Sequence, residues 1–264
     1  MSVKIKRKTC LAHDKVNIVY SACGKGEPAL FFIHGGLAER TFWDKQLEAF
    51  CTNHRVVALD LPGHGESGSN RENWGLPEFG ADVKAVADAE KLDNLILFGN
   101  SLGGPVAVEA ALLMPKRIIG VVGIDSFQRV DYVIPPEEMQ KRARAFRDDY
   151  PGMVKEMVDM LFHKDAEPDI MAEAEKRMQK TPPEAAYKMF LGMSGYDNAA
   201  PVRKLTVPLR AINGDIYPTD VEGVRKIKPD FDAIIMEHMG HYPMLERPEE
   251  FNRYIASVIA ELTR

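Results

Sequence analysis

The chain has 264 residues, of which 45% are hydrophobic and 28% charged, with a net charge of -5, a pI of about 5.9 and a mean hydropathy of -0.24. This is the balance of a globular protein with a sizeable core, and it lacks the basic face that a nucleic-acid partner requires. No run approaches the ~20 apolar residues that cross a bilayer, and the basic residues near the N-terminus have no apolar stretch behind them of the kind a signal peptide carries.

The early segments around Lys4–Leu11 and Val16–Ala22 alternate apolar with polar side chains, which predicts an antiparallel pair at a sheet edge. "KIKRK" at Lys4–Lys8 belongs to that alternation and forms no basic cluster. "ALFFIHG" and "RVVALDL" follow and read as continuously apolar, the pattern of strands covered on both faces. "PEFGADVKAVADAEKL" then places Phe79, Val83, Val86 and Ala87 on one side of a helix. The strand-like run "NLILFGN" leads into a helical "GPVAVEAALLM", and "IIGVVGID" is the next strand.

The middle of the chain changes character. From Phe127 to Ala200 no strand pattern appears, and short helical stretches are punctuated by Pro135, Pro136, Pro151, Pro168, Pro182 and Pro183. The sheet pattern resumes with "VPLRAING" and "FDAIIMEH". It ends on "RPEEFNRYIASVIAEL", a helix with Phe251, Ile255, Val258, Ile259 and Leu262 on one face. Alternating strands and helices predict an α/β fold, a mostly parallel central sheet with helices on both faces. Residues 1–126 and 201–264 would form this core, and 127–200 a helical insertion between two of its strands.

The chemistry-bearing motif is "GNSLG", Gly99–Gly103, which fits G-x-S-x-G. A strand precedes it and a helix follows, so the bend would lift the Ser101 hydroxyl out of the sheet and set it on a helix N-terminus. Glycines two places to either side leave room where a Cβ would strike the neighbouring strand or helix. A serine at its ordinary pKa is a poor nucleophile and needs a base, which in turn needs an orienting acid. His241, in "MEHMGHYPMLERPEEF", follows a strand and precedes the last helix, and the carboxyl ends of parallel strands are where such sheets place their sites. His34 and His64 also follow strands, but each sits among glycine turns, where holding backbone is the expected role. His13, His54 and His163 have charged, surface-like neighbours, and His238 falls within or at the end of its strand.

The ordered set "FFIHGG", "ALDLPGHGES", "FGNSLGG" and "GHYPMLERPEEF" resembles the α/β-hydrolase fold family, of the lidded esterase and lipase-like kind. The resemblance covers nearly the whole chain, with 127–200 as a variable cap (lid). It implies Ser101 as nucleophile, His241 as base and an oxyanion hole from the backbone N–H groups of Leu102 and Gly36. Asn100 stands where many relatives carry His, a position that tunes the pocket. Many relatives place the acid as G-x-x-D after the next-to-last strand, but three residues beyond Gly214 this chain has Tyr217, and Asp215 is displaced by two. Asp125 closes the preceding strand in "GVVGIDSF". Adjacent strands lie ~4.8 Å apart, so either carboxylate could serve, and Asp125 is favoured over Asp215.

Other motifs carry less. "GHGESG" at Gly63–Gly68 matches G-x-G-x-x-G, yet turn residues follow it where dinucleotide binding needs a helix to open at once. No zinc-ligand spacing, P-loop or EF-hand is present, so neither a cofactor nor a metal is implied. Cys10, Cys23 and Cys51 are odd in number and widely spaced; reduced, buried thiols in a cytoplasmic protein are expected. The insertion holds Met139, Met153, Met157, Met160, Met171, Met178, Met189 and Met193, of which two or three are expected to face the pocket and the rest to fill core. Phe42 and Trp43 suit either a pocket wall or packing beneath the oxyanion loop.

These readings converge on a serine hydrolase cleaving carboxylic esters of small to medium apolar substrates through an acyl-enzyme, with neither nucleic acid nor membrane as partner and either a monomer or a homodimer as its state. The alternatives are a C–C bond hydrolase acting on β-diketone-type substrates, a lactonase or a perhydrolase with the same triad, or a non-catalytic ligand receptor on the same fold. Serine at the bend argues against haloalkane dehalogenases and epoxide hydrolases, which use Asp there.

Overall fold

Residues 4–264 are described by a computed structural model, and their strands fall on the runs read above. They are β1 Lys6–Leu11, β2 Asn17–Cys23, β3 Ala29–Ile33, β4 Val56–Leu59, β5 Leu95–Asn100, β6 Ile118–Ile124, β7 Leu209–Asn213 and β8 Asp232–Ile235. Together they form one 8-stranded sheet in the order β1-β2-β4-β3-β5-β6-β7-β8. β1 and β2 pair antiparallel, as do β2 and β4; every other pairing is parallel. The continuously apolar β3, β4 and β5 are buried along their whole length, whereas the alternating β1 and the short β8 sit at the edges and are partly exposed.

Helices α1 Asp44–Phe50, α2 Leu76–Ala89, α3 Gly103–Leu113, α9 Val221–Arg225, α10 Pro243–Glu246 and α11 Pro248–Leu262 connect or follow the strands. α2 packs on α3, and α1 on α11. The apolar stripe of α11 is buried through Phe251, Ile255, Val258 and Ile259, as its spacing predicted. α4 Pro136–Asp148, α5 Tyr150–Leu161, α6 Pro168–Met178, α7 Pro183–Gly192 and α8 Ala199–Lys204 all lie between β6 and β7. The prolines that interrupt the sequence pattern open four of these helices. In a first turn the missing N–H has no intrahelical acceptor, so proline costs nothing there. α4 packs against α5 and α7, and α5 against α6.

The sheet register sets the site. Ile33 of β3 pairs with Gly99 of β5, Asn100 with Ile124 of β6, and Ile124 with Ile212 of β7. The residues next in each chain, Ser101, Asp125 and Asn213, therefore stand side by side at the carboxyl ends of neighbouring strands.

The turn "GHGES" after β4 is tied down by Asp60, which accepts the N–H of Arg40 at 2.7 Å and of Glu66 at 3.0 Å. The next helix, α2, begins only at Leu76, so no helix N-terminus is presented there. Cysteine departs from expectation. Cys23 and Cys51 are joined as a disulfide with their Cα atoms 5.6 Å apart, because the end of β2 lies against the residue that closes α1. Their 28-residue separation hid that contact in the sequence. Cys10 is half-buried, and burial pushes its thiol up to about 11. Among the described residues no helix is long and apolar enough to cross a membrane.

Candidate active site

Ser101 follows the last residue of β5 with φ of 51°, in the left-handed region that side chains bearing a Cβ seldom enter. Such strain is of order 1–3 kcal/mol and persists only where the surroundings enforce it. Here they do. The Ser101 N–H donates to the carbonyl of Ile124 at 3.0 Å, and the Ser101 carbonyl accepts the N–H of Gly104 at 3.0 Å and the Ser126 hydroxyl at 3.1 Å. A Cβ on Gly99 would fall on the carbonyl of Gly103, and one on Gly103 would fall on that of Ile33. Both glycines are required by close backbone approach.

His241 donates from Nδ1 to Oδ2 of Asp125. The other oxygen of Asp125, Oδ1, accepts the N–H of Gly214 at 3.0 Å, and the Asp125 N–H donates to Ile212 at 2.9 Å. Asp125 is itself left-handed, φ 42°. Asp215 faces elsewhere: it accepts the N–H of His238 at 2.8 Å and of Met239 at 3.1 Å. The His238 N–H, first, and then that of Met239 hold its carboxyl below the usual range. Of the two candidate acids, then, Asp125 meets His241 and Asp215 supports the turn after β8. The reason is register: Asp125 directly follows Ile124, whereas Asp215 lies two residues beyond the end of β7.

The main chain of His241 is held as firmly as its ring. Its N–H donates to the carbonyl of Leu161, the last residue of α5, at 2.8 Å, and its carbonyl accepts Nδ2 of Asn100 at 3.0 Å. Asn100 also donates to Ile124 at 3.0 Å and is fully buried. It is not a lining residue of the cavity, and its two bonds brace the strand tips. Tyr242 stands edge-on to the His241 ring, centroids 5.0 Å apart.

Ser101, His241, Leu102 and Gly36 all line one cavity of about 310 Å³, at the small end of ligand-sized pockets. Its roof comes from the insertion, with Phe146 of α4, Leu161 of α5 and Phe190 of α7. Five methionines line it, Met153, Met157, Met160, Met189 and Met193, where two or three were expected. Met139 and Met178 are core. Both α5 and α7 turn a methionine-bearing face to the serine, which helical period alone does not reveal. Arg142 and Glu156 are the charged lining residues. Phe42 and Trp43 are not lining residues of this cavity. Trp43 packs on Phe32 at 5.0 Å and Phe42 edge-on to Tyr242 at 5.9 Å.

The two glycine-turn histidines are buried. His34 holds Gly35 through Nδ1 at 2.7 Å and accepts the Leu61 N–H at Nε2 at 2.9 Å. Burial pushes His34 down to about 4 and His64 to about 3, so both are neutral braces between β3 and the turn after β4. Among the described residues two groups have metal-ligand types within reach: His163 with Asp165 and His238, and His13 with Asp14 and Asp82. In the first, Nδ1 of His163 already accepts the N–H of Asp165 at 3.2 Å. In the second, Asp14 and Asp82 are both bound to the Arg71 guanidinium. Sequence reading misses Ser126 and the bracing role of Asn100, which it marks only as a pocket position; each neighbours a candidate catalytic residue and carries no periodic signal.

A hydroxyl on a strained turn and an imidazole oriented by a carboxylate, both lining one mostly apolar cavity, can support acyl transfer. The chain is similar to known proteins in two ways. It is 32% identical to the dihydrolipoyllysine-residue acetyltransferase component of the acetoin cleaving system of Cupriavidus necator, over 41% of this chain; the match spans only 29% of that protein. It is 26% identical to a 2-hydroxy-6-oxononadienedioate/2-hydroxy-6-oxononatrienedioate hydrolase of Burkholderia vietnamiensis, over 91% of this chain and 90% of that protein. Its fold matches that of a thermophilic esterase from Thermogutta terrifontis with a TM-score of 0.85 at 22% identity, over 97% of this chain and 99% of that one. The sequence pattern of the alpha/beta hydrolase family matches residues 30–254, and the chain belongs to that family.

Proposed function

We propose that the protein is a serine hydrolase cleaving carboxylic esters of small to medium, mostly apolar substrates. The observation that carries the reading is the Nδ1 bond of His241 to Asp125 beside a cavity that Ser101 also lines. With Nδ1 so engaged, Nε2 is the nitrogen left to take the Ser101 proton as Oγ attacks the substrate carbonyl. The Leu102 and Gly36 N–H groups stabilise the developing oxyanion; losing one such donor typically costs about 3–4 kcal/mol. The proton passes from His241 to the departing alcohol, leaving an acyl group on Ser101. His241 then deprotonates a water that releases the acid and restores the hydroxyl.

In this reading 127–200 is a cap over the core of 1–126 and 201–264, and its methionines form a pliable acyl or alcohol wall. The chemistry draws on the chain's own groups and a water. The test is a fluorophosphonate probe with mass analysis, alongside p-nitrophenyl esters, lactones and β-diketones as substrates. A covalent adduct at Ser101 and ester turnover that Ser101→Ala abolishes are expected. An active Ser101→Ala enzyme overturns the assignment, and binding without adduct or turnover identifies a receptor.

A further inference from the structure

One carboxylate beside the base is unused by the chemistry above. Glu246, the last residue of α10, turns back beneath the loop it follows. Its Oε2 accepts the N–H of Gly240 at 3.2 Å and of His163 at 3.1 Å, and its Oε1 accepts the N–H of Tyr242 at 3.2 Å. Gly240 and Tyr242 flank His241 on either side. His163 lies two residues beyond Leu161, whose carbonyl receives the His241 N–H. The insertion and the His241 loop thus share one anchor, next to the 2.8 Å backbone bond from His241 to Leu161 that also joins them.

The approach is built for this purpose. A Cβ on Gly240 would lie 2.5 Å from Oε1 of Glu246 and 2.5 Å from the N–H nitrogen of His163, so only glycine lets the carboxylate in. Burial pushes the Glu246 carboxyl above the usual carboxylate range, against the opposing pull of its three N–H donors. An oxygen pair that accepts from three donors cannot be replaced by water without leaving room for the loop to shift.

We propose that Glu246 is a positioning residue for His241, holding the end of α5 and the His241 loop in one register so that the imidazole keeps its aim at Ser101. This rests on His241 being the general base. It assigns the end of α5 to the fixed part of the site: whatever motion admits substrate leaves Leu161 and His163 in place.

The variants are Glu246→Gln, which keeps the size but turns an NH2 toward N–H donors, Glu246→Asp, and Gly240→Ala, which blocks the carboxylate from the other side. On a p-nitrophenyl ester, Glu246→Gln and Gly240→Ala should lower kcat about 10- to 100-fold with KM nearly unchanged, as small misplacements of catalytic groups do. Glu246→Asp should fall between them and the wild type. The fluorophosphonate labelling rate should drop in parallel. In proton NMR the downfield Nδ1–H resonance of His241, bound to Asp125, should exchange faster in Glu246→Gln. A folded Glu246→Gln protein with wild-type kcat and the same exchange rate overturns the proposal, as does lost thermal stability with unchanged kcat. A wild type that turns over no ester sinks the hydrolase reading instead. The Nδ1–H exchange comparison still decides the role of Glu246 in that event.

Discussion

The floor and the roof of the cavity are held by different forces. The floor is a row of strand tips in which backbone and side-chain hydrogen bonds specify each group: Ser101 through Ile124, Gly104 and Ser126, and His241 through Asp125, Asn100 and Leu161. The roof lining is five methionines with Phe146 and Phe190, side chains that offer apolar contact, and the end of α5 is tied to the floor through Leu161 and His163. Hydrogen bonds are directional and fail when displaced by a fraction of an ångström, whereas thioether packing adapts. Under the proposed function, aiming a proton and accepting varied apolar groups would be separated between the two surfaces.

That contrast breaks if floor substitutions are mild or roof substitutions are severe. The largest effect should come from Ser101→Ala, which should lower kcat by about 10⁶-fold, as loss of a serine nucleophile does elsewhere, with no adduct in intact-mass analysis. Asp125→Asn should follow at about 10⁴-fold in kcat with KM little changed. Asp215→Asn, measured in the same assay, should stay within a few-fold and lose instead about 1 kcal/mol of stability in urea unfolding, through its two backbone bonds. Equal loss at both carboxylates would erase the distinction between a floor group and a turn support.

A third effect concerns stability and the floor's buried histidines. The folded pKa values of His34 and His64, about 4 and about 3, lie below the unfolded value of about 6.5. The unfolded chain therefore binds protons that the folded chain does not, and the contribution is fully present above pH ~6.5 and lost as pH falls toward ~4. Urea unfolding across that range should show stability falling on acidification, with a slope that flattens in His34→Asn by up to about one proton. An unchanged slope would remove His34 from the set of neutral braces. The smallest effect belongs to the roof: Met157→Ala should leave kcat on an acetyl ester within a few-fold. It should shift preference toward longer acyl chains by about 10-fold, the scale of small changes in an apolar pocket. A hundredfold loss with every ester would make Met157 part of the floor.

Much of this was legible in the letters. Gly99, Ser101 and Gly103 declared the bend, because close backbone approach admits no Cβ and strand–turn–helix context is local. The continuously apolar β3, β4 and β5 declared a sheet covered on both faces. The choice between Asp125 and Asp215 was not local. Both follow strands, and only the register of β6 against β7, with the turn of Asp215 toward His238, separates them. The Cys23–Cys51 contact and the number of methionines over Ser101 were hidden for the same reason.

The sequence by itself determined the order of strands and helices, the tight turn that carries Ser101 and the histidine past the last strand. These follow from periodicity and from steric rules that act over a few residues. Tertiary structure alone decided which carboxylate reaches His241, which side chains brace it and which methionines form the roof. Those depend on distances between segments far apart in the chain, which local patterns do not encode.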